Sequence, residues 1–236
     1  MVADPRVAHG QVAVDQIDEG LRSYMLSVYN YMGLGLVITG LVAYIVGTTP
    51  ALYQPIMMSP LKWVVMLAPL GFVMFFSFRI EKMSVGSAQL AFWAFAALMG
   101  LSLSTVFVAF TGASVARVFF ITAASFGALS LYGYTTKRDL SGMGSFLFMG
   151  LVGIIIASIV NWFLASSALQ FAISVIGLLV FAGLTAYDTQ QIKEMYYELD
   201  NSDVMGRKAI MGALRLYLDF INMFMFLLHF FGGNNE

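Results

Sequence analysis

The sequence predicts an all-α membrane protein with seven transmembrane helices, and three observations carry that prediction. The first is composition: 60% of the 236 residues are hydrophobic and 11% charged, with a mean hydropathy of +0.83, whereas an ordinary soluble domain has about 25% charged residues. The second is a set of seven apolar runs, near 23–47, 61–80, 88–110, 115–135, 143–165, 168–189 and 208–231. Each approaches the roughly 20 residues a helix needs to cross a hydrocarbon core of about 30 Å. The third is that Lys and Arg fall mainly in the connections on one side of those runs.

Residues 1–22 are polar, with Asp4, Asp15, Asp18 and Glu19. They lack the basic segment and short apolar stretch of a cleaved signal, so the first hydrophobic run is expected to be retained. The expected organisation is a polar tail (1–22), a single seven-helix domain (23–232) and a short tail (233–236). The connections carry breakers: Pro50, Pro55 and Pro60 in "TTPALYQPIMMSP", then "EKMSVGS", "TGAS", "TTKRDLSGMG" and "ASS". Only "QQIKEMYYELDNSDVMGRK", before the last run, is long and polar.

Arg6, Arg22, Arg79, Lys82, Lys137, Arg138, Lys193, Arg207 and Lys208 lie on the side of the N-terminus, and Lys62 and Arg117 on the other. The positive-inside bias places the N-terminus in the cytoplasm. Seven spans put "FGGNNE" on the far side, unless the last, charge-bearing segment is re-entrant. Tyr53, Trp63 and Tyr196 read as interfacial anchors. Gly33, Gly35 and Gly40 in the first helix, and Gly150, Gly153 and Ala157 in the fifth, have spacings that allow close helix packing in lipid. The 16 methionines and 21 phenylalanines read as core or lipid-facing filler.

With no cysteine, disulfides, thiolate metal sites and a cysteine nucleophile are excluded. The net charge of −1 forms no extended basic surface, so the expected partner is the lipid bilayer and not nucleic acid.

The last run breaks the apolar pattern. At 100° per residue Arg215, Asp219, Asn222, Phe226 and His229 share an arc of roughly 80°. An Asp or Arg in mid-membrane costs about 2.5–3.5 kcal/mol on the insertion scale, so this face must point into the bundle or at water. Asp188 ends the sixth run in "GLTAYDTQQI", and a helical hairpin would bring it near Asp219. Two carboxyls meeting in low dielectric share a proton. Other readings stay open: Asp188 as a helix-end residue at the interface, and Asp219 as the partner of an i, i+4 ion pair with Arg215. Arg79, in "FFSFRIEKMS", lies at the level of Asp188. It either reaches the pair or snorkels to headgroups. His229, near the outer end, reads as a satisfied or headgroup-facing histidine and not a ligand.

"GLTAYDTQQI" followed by "LRLYLDFINMF" resembles the paired signature of the Bax inhibitor (TMBIM) family, and "SLYGYTTKRDLSGMG" and "FFSFRIEKMS" resemble its bacterial branch, over residues 25 to 232. The resemblance implies six helices surrounding a central C-terminal one. It also implies a pH-sensitive calcium leak channel in which Asp188 and Asp219 form a hydrogen-bonded gate, with Arg79 as an arginine that exchanges contacts with the pair. Arg215, where other members carry a neutral or acidic residue, changes the charge of that site. No catalytic role and no cofactor are expected beyond transient Ca²⁺, held weakly by Asp188 and Asp219 with hydroxyls such as those of Thr185, Tyr187 and Thr189.

An intramembrane aspartyl protease would share Tyr187-Asp188, but its second aspartate follows Gly-x-Gly, and here Leu216-Tyr217-Leu218 precedes Asp219. A retinal receptor requires a lysine within the body of the last helix, which has none. A serine protease of the rhomboid type would require a serine and histidine arrangement that the sequence does not offer. The remaining alternative is a scaffold, as proposed for some bacterial relatives, that binds and modulates a membrane-embedded ATP-dependent protease through "KEMYYELDNSDVMGRK".

Overall fold

The structure, a computed structural model, describes residues 5–233, with side chains from residue 19 onward. Most side chains of the polar tail assigned to 1–22, and residues 234–236 of the C-terminal tail, lie outside the described residues. The chain forms α1 (Pro5–Thr48), α2 (Pro50–Met57), α3 (Leu61–Arg79), a 3₁₀ turn (Ile80–Lys82), α4 (Val85–Leu103), α5 (Val106–Ala109), α6 (Gly112–Thr135), α7 (Ser141–Leu164), α8 (Ser167–Glu194) and α9 (Ser202–Phe231). Seven of these stretches are long and apolar enough to cross a bilayer: 19–48, 61–82, 85–109, 112–135, 141–164, 167–194 and 202–231. The molecule is an all-α, seven-span membrane protein.

Local chemistry sets the boundaries. Ser84, Thr111, Ser166 and Asn201 each accept a bond from the backbone N–H three residues on, opening α4, α6, α8 and α9. Such caps satisfy amide groups that would otherwise be left without partners at a helix start. α7 ends on Ala165 in the left-handed region (φ 48°), whose N–H reaches Asn161 O at 2.8 Å, while Asn161 Oδ1 accepts from Ser166 N.

Three elements differ from the sequence expectation. The proline-rich connection forms α2, because Pro50 takes the first helical position, where its missing N–H costs nothing. The third span is interrupted at Ser104, whose hydroxyl donates to Leu101 O at 2.7 Å, before α5 resumes the helix. The long polar connection is mostly helix, since α8 runs to Glu194 and α9 starts at Ser202. The intervening turn is pinned by Lys208, which donates to Met195 O and pairs with Asp200.

α9 is the centre of the bundle. Its membrane stretch is 61% buried, while no other span exceeds 33%. α1, α4, α6 and α8 pack against it, and α3 and α7 complete the ring. Tyr217, fully buried on α9, sits edge-on to Phe92 (5.9 Å) and Phe95 (5.6 Å) of α4. The outer faces carry exposed aromatics such as Phe78, Trp162 and Phe163, the surface of a chain whose solvent is lipid.

α9 runs the full length of the bundle. Near its start Arg207 bonds Met83 O, and past its end Gly233 N donates to Ser114 Oγ (2.7 Å) while Gly233 O accepts from Thr111 N (3.0 Å). The re-entrant alternative is therefore ruled out. Tyr196, expected as an interfacial anchor, packs on Tyr24 with ring centroids 5.8 Å apart.

The closest helix approaches are not at the glycines singled out by spacing. Gly33, Gly40 and Gly153 face open space, and only Gly35 (under Phe92) and Gly150 (against Val180) make tight contacts. A Cβ at Gly133 would meet the backbone of Ala186, and one at Gly100 would lie 2.7 Å from Thr39 O. These two let α6 approach α8 and α4 approach α1 without intervening side chains.

Candidate carboxyl site

Asp188 and Asp219 come together. α8 and α9 are neighbours in a helical hairpin, and the last turns of α8 bring Asp188 level with Asp219, where the two carboxyls interact directly. Asp219 is 4% exposed, and its Oδ2 is buried with no ordinary donor in reach. The neighbouring ionisable group of like kind is the Asp188 carboxyl, which donates only if it carries a proton. The geometry therefore suits a pair with one shared proton.

Both residues line a cavity of about 1330 Å³ walled by α3, α7, α8 and α9. Along α7 its wall runs from Gly144 to Ile159, roughly 22 Å at 1.5 Å per residue. α9 contributes Arg215, Leu218, Asp219, Asn222 and Phe226, the face the helical period predicts as far as Phe226. His229 is not among the lining residues. It is exposed, within 2.6 Å of Met225 O, with its ring edge-on to Phe110.

Polarity is graded along the cavity. The end nearer the α8–α9 turn holds Tyr187, Asp188, Arg215 and Asp219, with Asn222 beyond them. Asn222 Nδ2 donates to Leu218 O (2.8 Å), so its Oδ1 is available to the cavity. The other end is lined by hydrocarbon: Phe226 packs over Gly177 and lies 5.9 Å from Phe181, beside the cluster of Ile154, Ile173 and Val180.

Arg215 and Arg79 have different fates. Arg215 faces the cavity, interacts electrostatically with both carboxyls, and has no hydrogen-bond or ion-pair partner among the described residues. Arg79 is exposed at the end of α3 and does not line the cavity, which α3 reaches only through Leu70, Val73 and Met74. The cation beside the pair in this structure is Arg215.

Two of the expected hydroxyl ligands point elsewhere. Thr189 Oγ1 donates to Thr185 O (2.7 Å) and so must accept from Ser130, which in turn accepts from Tyr29 (2.9 and 2.6 Å). Thr185 bonds Phe181 O and the sulfur of Met223. These hydroxyls tie α8 to its neighbours, and among the expected hydroxyls only that of Tyr187 belongs to a cavity-lining residue.

Sequence reasoning missed Gln190. Its side chain accepts from Leu140 N and donates to Arg138 O, both at 2.8 Å, clamping the α6–α7 turn onto α8. The signal was present, a glutamine two residues after Asp188 on a helix continuing past the apolar run, but its partner is a backbone some 50 residues away.

The family described as Inhibitor of apoptosis-promoting Bax1 matches residues 21–236. The chain belongs to the Bax inhibitor family. This family member is 50% identical to an uncharacterised protein of Rickettsia prowazekii over 93% of each chain. It is 47% identical to one of Caulobacter vibrioides, over 93% of this chain and 92% of that one. It is also 46% identical to the inner membrane protein YbhL of Escherichia coli K12, over 91% and 93%. In this Bax inhibitor family protein the two aspartate-bearing motifs lie on adjacent helices and face one cavity.

Proposed function

We propose that the protein is a pH-sensitive leak channel for calcium or a similar cation, gated by a proton shared between Asp188 and Asp219. The observation that carries this reading is the pairing of two carboxyls, Asp188 and Asp219, on the wall of a membrane-level cavity, with Asp219 Oδ2 buried and without a hydrogen-bond partner among the described residues. With one proton the pair carries a single negative charge, and Arg215 beside it makes the site neutral overall. Loss of that proton sets two carboxylates against each other in a medium where water screens them poorly. α8 and α9 then separate, or a cation enters to neutralise them.

The pair offers a cation its carboxylate oxygens, with Asn222 Oδ1 and the Tyr187 hydroxyl near. Ca²⁺ takes six to eight oxygens, so it would keep several waters and bind briefly, as permeation requires. In this reading the protein catalyses no covalent reaction and holds no resident cofactor. The name of YbhL and the Lys and Arg distribution support a bacterial inner-membrane location with the N-terminus in the cytoplasm.

Calcium flux into dye-loaded liposomes containing the purified protein, measured from pH 5 to 8, tests this proposal. Flux that rises with pH and loses its pH dependence in both Asp188→Asn and Asp219→Asn is expected. No flux above empty liposomes at any pH would overturn the channel reading.

A second reading has its own support. Tyr197 and Leu199 are exposed at the tip of the α8–α9 turn, which Lys208 and Asp200 hold in shape. Such a presented apolar pair suits a scaffold that docks on a membrane-embedded protease. A stoichiometric partner co-purifying from native membranes, and lost in Tyr197→Ser/Leu199→Ser, would favour it.

A further inference from the structure

The seam between α1 and α6 is open to the bilayer over much of its length. Two slots lie along it, of about 380 and 440 Å³, and both are walled almost wholly by hydrocarbon. The larger, nearer the end of α9, has no ionisable group besides the phenol of Tyr44. The smaller, at the end of the bundle where α1 enters, is lined by Leu26, Phe126 and Leu131 and has Arg22 at its mouth.

Arg22 is exposed and has no hydrogen-bond or ion-pair partner among the described residues. Other cations lie at the same end. Lys193 donates to Tyr134 O (2.9 Å) and stands 5.2 Å above the Tyr134 ring, which also lines the slot. Exposed Lys137 and Arg138 follow α6 within three residues, on the turn that Gln190 clamps. Acids also lie nearby in sequence, Asp18 four residues before Arg22 among them. Glu19 is exposed one turn before Arg22, Asp139 is engaged by Ser141, and Glu194 accepts from Gln191.

The Tyr29 and Ser130 hydroxyls in the slot ask for nothing from a ligand. Tyr29 donates to Ser130, and Ser130 to Thr189, so its hydroxyls are satisfied within the protein. An occupant therefore needs a long apolar part for the slot and an anion for its mouth.

We propose that this slot binds an anionic phospholipid, with an acyl chain between α1 and α6 and the headgroup phosphate on Arg22. Basic pockets between transmembrane helices at the positively charged face of a membrane protein take such headgroups. A guanidinium meets a phosphate through two parallel hydrogen bonds. The larger slot, equally apolar but without a cation, serves as the internal comparison: it would take a lipid tail without preference for headgroup.

The test is native mass spectrometry of the intact, detergent-purified protein with added phosphatidylglycerol or phosphatidylcholine of identical chains. Retention of phosphatidylglycerol over phosphatidylcholine is expected. Arg22→Gln should reduce that preference about fivefold, Arg22→Lys should keep most of it, and Lys62→Gln, a cation at the opposite end, should leave it unchanged. Leu131→Trp, which fills the slot, should lower retention of phosphatidylglycerol without changing the thermal midpoint of the protein. Equal retention of the two lipids, or a preference untouched by Arg22→Gln, would overturn the proposal. Displacement of the lipid by millimolar inorganic phosphate would also overturn it, since it would show a free-anion site.

Discussion

Arg215 and Asp219 stand one helical turn apart on α9, on the wall of one cavity, and form no ion pair; the one ion pair among the described residues is Lys208 with Asp200. The i, i+4 spacing permitted a local salt bridge that would have fixed Asp219 as a carboxylate. Asp219 instead turns to Asp188, and Arg215 acts on both at a distance. The charge of the site is thus set by three residues on two helices.

A first prediction concerns Arg215→Gln. A positive charge beside the pair favours loss of the shared proton, so removing it makes the proton harder to lose. The midpoint of the flux should move to higher pH by roughly one unit, the size expected of one nearby charge at the effective dielectric of a partly hydrated site. Arg215→Lys should leave the midpoint near its original value. Liposome flux titrations of both variants against the wild type make the measurement, and an unmoved midpoint in Arg215→Gln would separate Arg215 from the gate.

The apolar end of the cavity yields a second prediction. Phe226 packs against Gly177 and lies tilted beside Phe181, lining the apolar part of the cavity beyond the carboxyls. On the channel reading, Phe226→Ala should raise leak at pH 5, the acid end of the tested range, because it removes the bulky ring from the apolar part of the cavity while leaving both carboxyls in place. Stopped-flow dye quenching at that pH would show it. A leak equal to that of the wild type would place the barrier elsewhere.

Seven spans and the polar face of α9 were legible because each rests on one short-range pattern, hydropathy over about 20 residues or the 100° period. The central place of α9 could be anticipated because charges inside a membrane must face protein or water. What could not be read depends on partners distant in sequence. Gln190 clamps a turn formed by residues 138–140, and Gly133 matters because Ala186 lies against it. Thr185 and Thr189 looked available as ligands, yet their hydroxyls bond α8's own carbonyls and neighbouring helices. Arg79 sits at the right depth by sequence, but its side chain is exposed and is not among the residues lining the cavity. Depth can be counted along a chain, whereas direction is set by packing.

Gly133 supports a third prediction. Any side chain there would push against the backbone of Ala186, two residues before Asp188. Backbone cannot yield as a flexible side chain can, so Gly133→Leu should cost about 1–3 kcal/mol or more through overpacking. The expected result is a lowered thermal midpoint in detergent, read by fluorescence-detected size exclusion. Gly153→Leu, which faces open space, should leave it unchanged.

A fourth prediction rests on a hydrogen-bond chain that fixes α9 in rotation. Thr39 Oγ1 donates to Ala96 O (2.8 Å), so the Tyr217 hydroxyl 2.6 Å away must be the donor to Thr39. All of these groups are buried, and the chain ties α9 to α1 and through it to α4. Thr39→Val keeps the shape but removes both bonds, leaving the Tyr217 hydroxyl without an acceptor in a lipid-embedded core. The destabilisation should be about 1–2 kcal/mol, the upper range for hydrogen bonds between membrane helices. Tyr217→Phe in the same background should recover part of that loss, because it removes the stranded hydroxyl. A double variant no more stable than Thr39→Val alone would mean that water already reaches Tyr217 and that this chain does not hold the register of α9.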